Sequence, residues 1–69
     1  MIPVFKLAIL LIEKGVLLYY DEKAKMFVVV IQQIGDTLEK YFSAYSISIL
    51  LDKYGLEKTV DYIVADTLK

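Results

Sequence analysis

The chain contains no histidine, cysteine, tryptophan or arginine. Histidine is the side chain most often used to move protons near neutral pH, and without it the serines and threonines have no imidazole to activate them. Without cysteine there is no disulfide framework and no thiolate zinc site. Without arginine the planar fork that grips phosphates and guanine edges is missing. Glycine and proline are scarce, three and one, and no segment is of low complexity. Disordered chains combine low hydrophobicity with high net charge, and this composition is the opposite.

Charge of one sign is also lacking. Lysines number eight and acids nine, for a net charge of −1. No block reaches the five or six like charges of an interaction tail. Neither a basic face for nucleic acid nor a dense acidic surface is present. The all-lysine basic set agrees with AT-rich coding and a phage or plasmid source. Gly15, Gly35 and Gly55 are too far apart for a phosphate-binding loop, and residues 21–26 lack the order of a calcium loop. Asp21 and Glu22 read as solvated turn acids. The expectation is a non-catalytic protein with no metal or cofactor.

Long hydrophobic runs are absent too. Near the N-terminus the longest uncharged apolar stretch is Leu7–Ile12, far short of the ~20 residues of a membrane span. Lys6 and the run after it imitate the start of a signal peptide, but Glu13-Lys14-Gly15 offers no small-residue cleavage site. The sequence therefore predicts a single domain over residues 1–69, cytoplasmic, with neither membrane nor nucleic acid as partner.

What is there is apolar. The 58% apolar content exceeds the ~45–50% of ordinary soluble domains. A domain of about 60 residues buries only ~60% of the surface its unfolded chain exposes. One copy cannot hide all this surface, so a partner is implied. The most economical is a second copy, which makes the chain a homodimer or larger homo-oligomer; another protein is the other candidate.

Residues 3–14 read as a helix, with Pro3 in its first turn and Gly15 past its end. Lys6, Glu13 and Lys14 fall on one narrow stripe beside Leu10, and the rest of the circumference is apolar. Residues 16–20 and 26–31 read as two strands of a hairpin around a loop opened by Asp21. Neither alternates apolar with polar, so the hairpin needs cover on both faces. Ile31, Ile34, Leu38, Tyr41, Phe42 and Tyr45 recur at helical spacing, which predicts a second helix from Gln32, with an Asp36–Lys40 pair on its outer face. Residues 45–51 fit helix or strand, and helix is favoured because Gly55 follows as a stop. Leu56–Leu68 is amphipathic, with Leu56, Val60, Ile63, Val64 and Leu68 inward. The predicted fold is α+β, in the order α-β-β-α-α.

Two local patterns resemble DNA-binding motifs. Residues 47–64, with Tyr54-Gly55-Leu56 between two helices, resemble the turn of helix-turn-helix repressors. That resemblance implies a dimeric DNA-binding regulator using residues 47–68. The second helix, however, offers Glu57, Lys58, Asp61 and Asp66, whereas base and phosphate contacts favour Arg, Lys, Asn and Gln. A strand followed by two helices is also similar to ribbon-helix-helix repressors, which implies that Met26–Ile31 pairs across a dimer. Its side chains Phe27–Val30 bring nothing polar to a groove.

The six tyrosines are the positive clue, because tyrosine joins a large contact area to a hydroxyl that tolerates a wet rim. The expected self-association surface is the hairpin edge, Val16–Tyr20 or Met26–Ile31, plus the first helix; the residues singled out are Phe5, Ile9 and Ile12 on that helix, Tyr19, Tyr20, Phe27 and Val29 on the hairpin, and Tyr41 and Tyr45 beyond it. The expected function is a homo-oligomeric protein-interaction module: a regulator, inhibitor or accessory factor. The alternatives are the DNA-binding regulator and a self-assembling structural subunit.

Overall fold

A computed structural model describes residues 4–69. Helix α1 (Val4–Glu13) leads into strands β1 (Val16–Asp21), β2 (Met26–Gln33) and β3 (Asp36–Phe42), and helix α2 (Ala44–Leu68) closes the domain. The strands form an antiparallel meander in the order β1-β2-β3. The α+β class is as expected; the element order is not. The proposed start at Pro3 lies outside the described residues.

Helix α1 ends where the sequence places a stop. The Lys14 and Gly15 amides donate to the Leu11 and Ile12 carbonyls at 3.0 and 2.9 Å. Gly15, at φ 78°, then turns the chain into β1. At the first hairpin Asp21 Oδ1 accepts from the Lys23 and Ala24 amides at 2.9 and 3.2 Å, the turn its side chain predicts.

The predicted helix from Gln32 is replaced by the end of β2, a tight turn and β3. Gln33 pairs with Asp36, which leaves Ile34-Gly35 as a two-residue loop. Gly35 carries the positive φ of 78° that reverses the chain. Across β3 the side chains alternate: Leu38, Lys40 and Phe42 point to the helices, while Thr37, Glu39 and Tyr41 point away. The helical spacing of apolar residues was real but drew on both faces of this strand. Pairing decided the outcome, because β2 is apolar on both faces and fully satisfied only as a central strand. Both of its edges are used within the chain, so Met26–Ile31 has no edge left for a cross-dimer ribbon. Asp36 and Lys40 do not pair either. Asp36 Oδ1 accepts from the Thr37 amide at 2.8 Å, and Lys40 reaches α2.

Residues 45–51 are helical, as favoured. Ser43, extended at φ −69° and ψ 155°, caps α2 by accepting from the Ser46 amide at 3.0 Å. The helix breaks at one residue: Gly55 sits at φ 81° and ψ 176°, a region open essentially to glycine alone. Unbroken, 25 residues would run about 38 Å, as long as the whole molecule at 37 Å. The strand beneath, at eight residues, spans only about 26 Å. The break lets both parts, residues 44–54 and 56–68, stay over the sheet.

Both helices lie on one face of the sheet, α1 along β1 and α2 across β2 and β3. Between the layers Leu7, Leu11, Val16, Val29, Ile31, Phe42, Ile47, Leu51, Val60 and Ile63 form one core. Thr59 is fully buried there, and its hydroxyl has no hydrogen-bond partner among the described residues. The turn before it, broken at Gly55, differs from that before Thr67, whose hydroxyl donates to the Ile63 carbonyl at 2.8 Å.

Two stability changes follow. A Cβ at position 55 would meet nothing within 4 Å, so Gly55→Ala costs backbone strain alone, about 1–3 kcal/mol, read as a lower urea midpoint. Thr59→Val removes an unsatisfied buried hydroxyl at similar volume and raises stability by about 1 kcal/mol in the same measurement.

Candidate interaction surface

The helices cover one face of the sheet and leave the other bare. In sheet order the bare face carries the rows Leu17, Val30, Glu39 and Tyr19, Val28, Tyr41, with Asp21 beside Met26 at one end. Val28 is 0% exposed although it points away from the helices and stands outside the core cluster. Its row neighbours are Tyr19 and Tyr41, and rings on adjacent strands are close enough to cover a valine between them. The result is an aromatic-walled apolar face rimmed by Asp21 and Glu39. Partial desolvation, then the negative charges of Asp21 and Glu39, raise the Tyr41 phenol above its usual pKa. It stays a neutral hydroxyl under physiological conditions.

This face runs into a groove of about 450 Å³ between β3 and the two parts of α2. Tyr41, Tyr45, Ile49 and Tyr62 line it, and so do Lys40 and Asp66. Lys40 Nζ donates to Asp66 Oδ2 at 2.8 Å. That hydrogen bond, with the charges of Lys40 and Lys69, holds the Asp66 carboxyl below the ordinary aspartate range against an opposing desolvation. The groove's one cation and one carboxylate are thus spent on each other. Tyr62 also stacks on Tyr54 across the Gly55 break, with ring centroids 6.5 Å apart and planes 14° apart.

A second notch, about 490 Å³, separates α1 from the C-terminal part of α2. Glu13, Lys14, Glu57 and Asp61 edge it, over Leu10 and Val60. Among the described residues no three potential metal ligands converge there or elsewhere, and no helix is long and apolar enough to cross a membrane. The segment likened to a helix-turn-helix has a one-residue break rather than a turn of several residues, and Glu57, Lys58 and Asp61 are exposed on its second part.

Of the residues expected at an interface, Phe5, Ile9, Ile12, Tyr19, Tyr20, Tyr41 and Tyr45 are exposed. Val29 is fully buried and Phe27 half-buried; both belong to the helix-side face of β2. Tyr20 packs edge-on to Phe27 at 5.1 Å. The exposed residues fall into four places, Tyr20 standing alone beside Phe27 on the helix side of the sheet. Phe5, Ile9 and Ile12 form a stripe on α1. Tyr19 and Tyr41 share the bare sheet face, and Tyr45 lies in the groove. Leu17 and Met26 fall within the strands expected at a self-association edge, but sequence reasoning missed Ile49 and Tyr62, which only the bend in α2 brings to this surface. It also missed Ile34, at 106% exposure on the tip of the β2–β3 turn.

No family model, curated protein or solved structure matches this chain.

The pH behaviour of the groove follows from Asp66. Its folded pKa lies below its unfolded one, so its contribution to stability is present above the ordinary aspartate range and is lost as pH falls through the lowered value. Urea midpoints of wild type and Asp66→Asn therefore converge in acid and separate towards neutral pH, with wild type the higher.

Proposed function

We propose that this protein is a non-catalytic, homo-oligomeric interaction module that acts by presenting apolar, tyrosine-rich surface to a second copy and then to another protein. The observation that carries this reading is the placement of the tyrosines. All six are exposed, by 42 to 76%, while the core is built from aliphatic residues, Phe42 and Thr59. Contiguous exposed apolar surface marks association sites, and tyrosine is enriched in them. The bare sheet face adds a planar area that two helices in the same chain leave uncovered. A regulator, inhibitor or accessory factor fits such a surface, which offers contact area but no reactive group set apart from its ion pair.

Solution mass by light scattering after size exclusion, from low micromolar concentration upward, tests the reading. The expected result is a stable dimer or larger closed oligomer. Mass that climbs without limit favours a self-assembling structural subunit. A monomer at every concentration defeats the self-association on which the reading depends.

A further inference from the structure

We infer that two copies join through the outward stripe of α1, with Phe5, Ile9 and Ile12 packed on the same residues of an antiparallel copy and Lys6 of each copy beside Glu13 of the other. This inference rests on the reading that the protein self-associates, and it names the surface, the orientation and the charges that set it.

Leu7 and Leu11 hold α1 to the core. At 100° per residue Ile9 lies opposite these two and points away from the sheet, with Phe5 and Ile12 within about 60° of it. Each of the three is more than half exposed. The steps between them are four residues and three, the spacing of successive core positions in a coiled-coil seam. Helix α1 thus has one apolar line for its own sheet and a second, narrower one that nothing in the chain covers.

The bare sheet face is the other broad apolar surface, and a second copy suits it less. It carries Asp21, Glu39 and, among the described residues, no lysine. Two such faces stacked on each other would gather four carboxylates without a counter-charge.

The stripe has the charge balance that this face lacks. Lys6 and Glu13 are both exposed and stand about 20° apart around the helix, on the flank towards α2. The opposite flank carries Ala8. In an antiparallel pair each flank meets the same flank of the copy, so Lys6 of one faces Glu13 of the other. In a parallel pair that flank would meet Ala8 and both charges would go unmatched. Charge complementarity therefore selects the antiparallel pair. Among the described residues neither Lys6 nor Glu13 has an ion-pair partner in its own chain. The notch beside Glu13 sets Glu57 and Asp61 against the single lysine Lys14, so an arriving ammonium group meets net negative charge.

The heights agree as well. The stripe is centred between Ala8 and Ile9. A two-fold axis at that height puts Ile9 beside its copy and Phe5 level with Ile12 of the copy. Lys6 and the copy's Glu13 then differ in height by about 3 Å, within reach of two long side chains. The three apolar side chains bare on the order of 300 Å² per copy, against roughly 800 Å² per partner in a standard interface. The seam is small, so the pair is sensitive to the charges beside it. Both bare sheet faces stay on the outside of the pair, free for another protein.

The test is a charge swap between Lys6 and Glu13, both outside the core. Lys6→Glu and Glu13→Lys, each checked for native circular dichroism, set like charges together at both symmetric contacts. The dimer dissociation constant, read by sedimentation, is expected to rise roughly tenfold in each. An equimolar mixture of the two variants restores opposite charges, and so does the double variant in one chain; both are expected within about twofold of wild type. Single variants that do not weaken the dimer, or a double variant as weak as either, overturn the antiparallel pair. Ile9→Lys brings two ammonium groups to the centre of the seam and is expected to run as a monomer where wild type is dimeric. Wild-type mass in that variant places the interface elsewhere and overturns the inference, while self-association stands. A monomeric wild type removes the inference and the reading together. If Ile9→Lys fails to fold, Ile9→Cys in this otherwise cysteine-free chain takes its place. A short bis-maleimide is expected to link it as a dimer and to leave Leu17→Cys, on the bare sheet face, unlinked; the reverse result overturns the inference.

Discussion

A three-stranded sheet has two faces, and a chain of this length has only enough helix to cover one. Everything else in the structure follows from how that single covered face is filled. The core is aliphatic and continuous from α1 through the sheet to both parts of α2. Every aliphatic residue committed there leaves fewer for the surface to shed. Ring-bearing side chains then collect where the core does not reach.

The broken helix is the device that makes one core sufficient. Gly55 gives up regular geometry for a single residue and keeps 25 residues of helix over a short sheet. The cost appears nearby, in a buried threonine hydroxyl without a partner among the described residues. The Lys40–Asp66 pair bridges sheet and helix on the far side of the same break. Strand β3 therefore performs two tasks: it completes the pairing of β2, and it anchors the C-terminal part of α2 by a charged contact.

Much of this was legible in the residues. Gly15 and Gly55 marked helix ends, Asp21 opened its turn, and the apolar runs at 16–20 and 26–31 became strands. The failure at 32–42 has a physical cause. Ile31, Ile34, Leu38, Tyr41 and Tyr45 satisfy helical spacing, while strand alternation from Thr37 to Phe42 is blurred by Lys40 facing inward and Tyr41 facing out. What settles the choice is the unpaired edge of β2, a long-range demand that no local window contains. The same distance hides the interaction surface. Leu17, Met26 and Tyr62 belong together only once register and bend are known, and Lys40 finds Asp66 rather than the nearby Asp36.

The exposure of every tyrosine has a consequence for how this protein can be observed. With no tryptophan, the near-ultraviolet absorbance and the fluorescence come chiefly from phenol rings on the outside. Nitration or iodination would label the surface and leave the core untouched. Optical and chemical probes that in most proteins follow the interior would follow, in this one, what the exterior is touching.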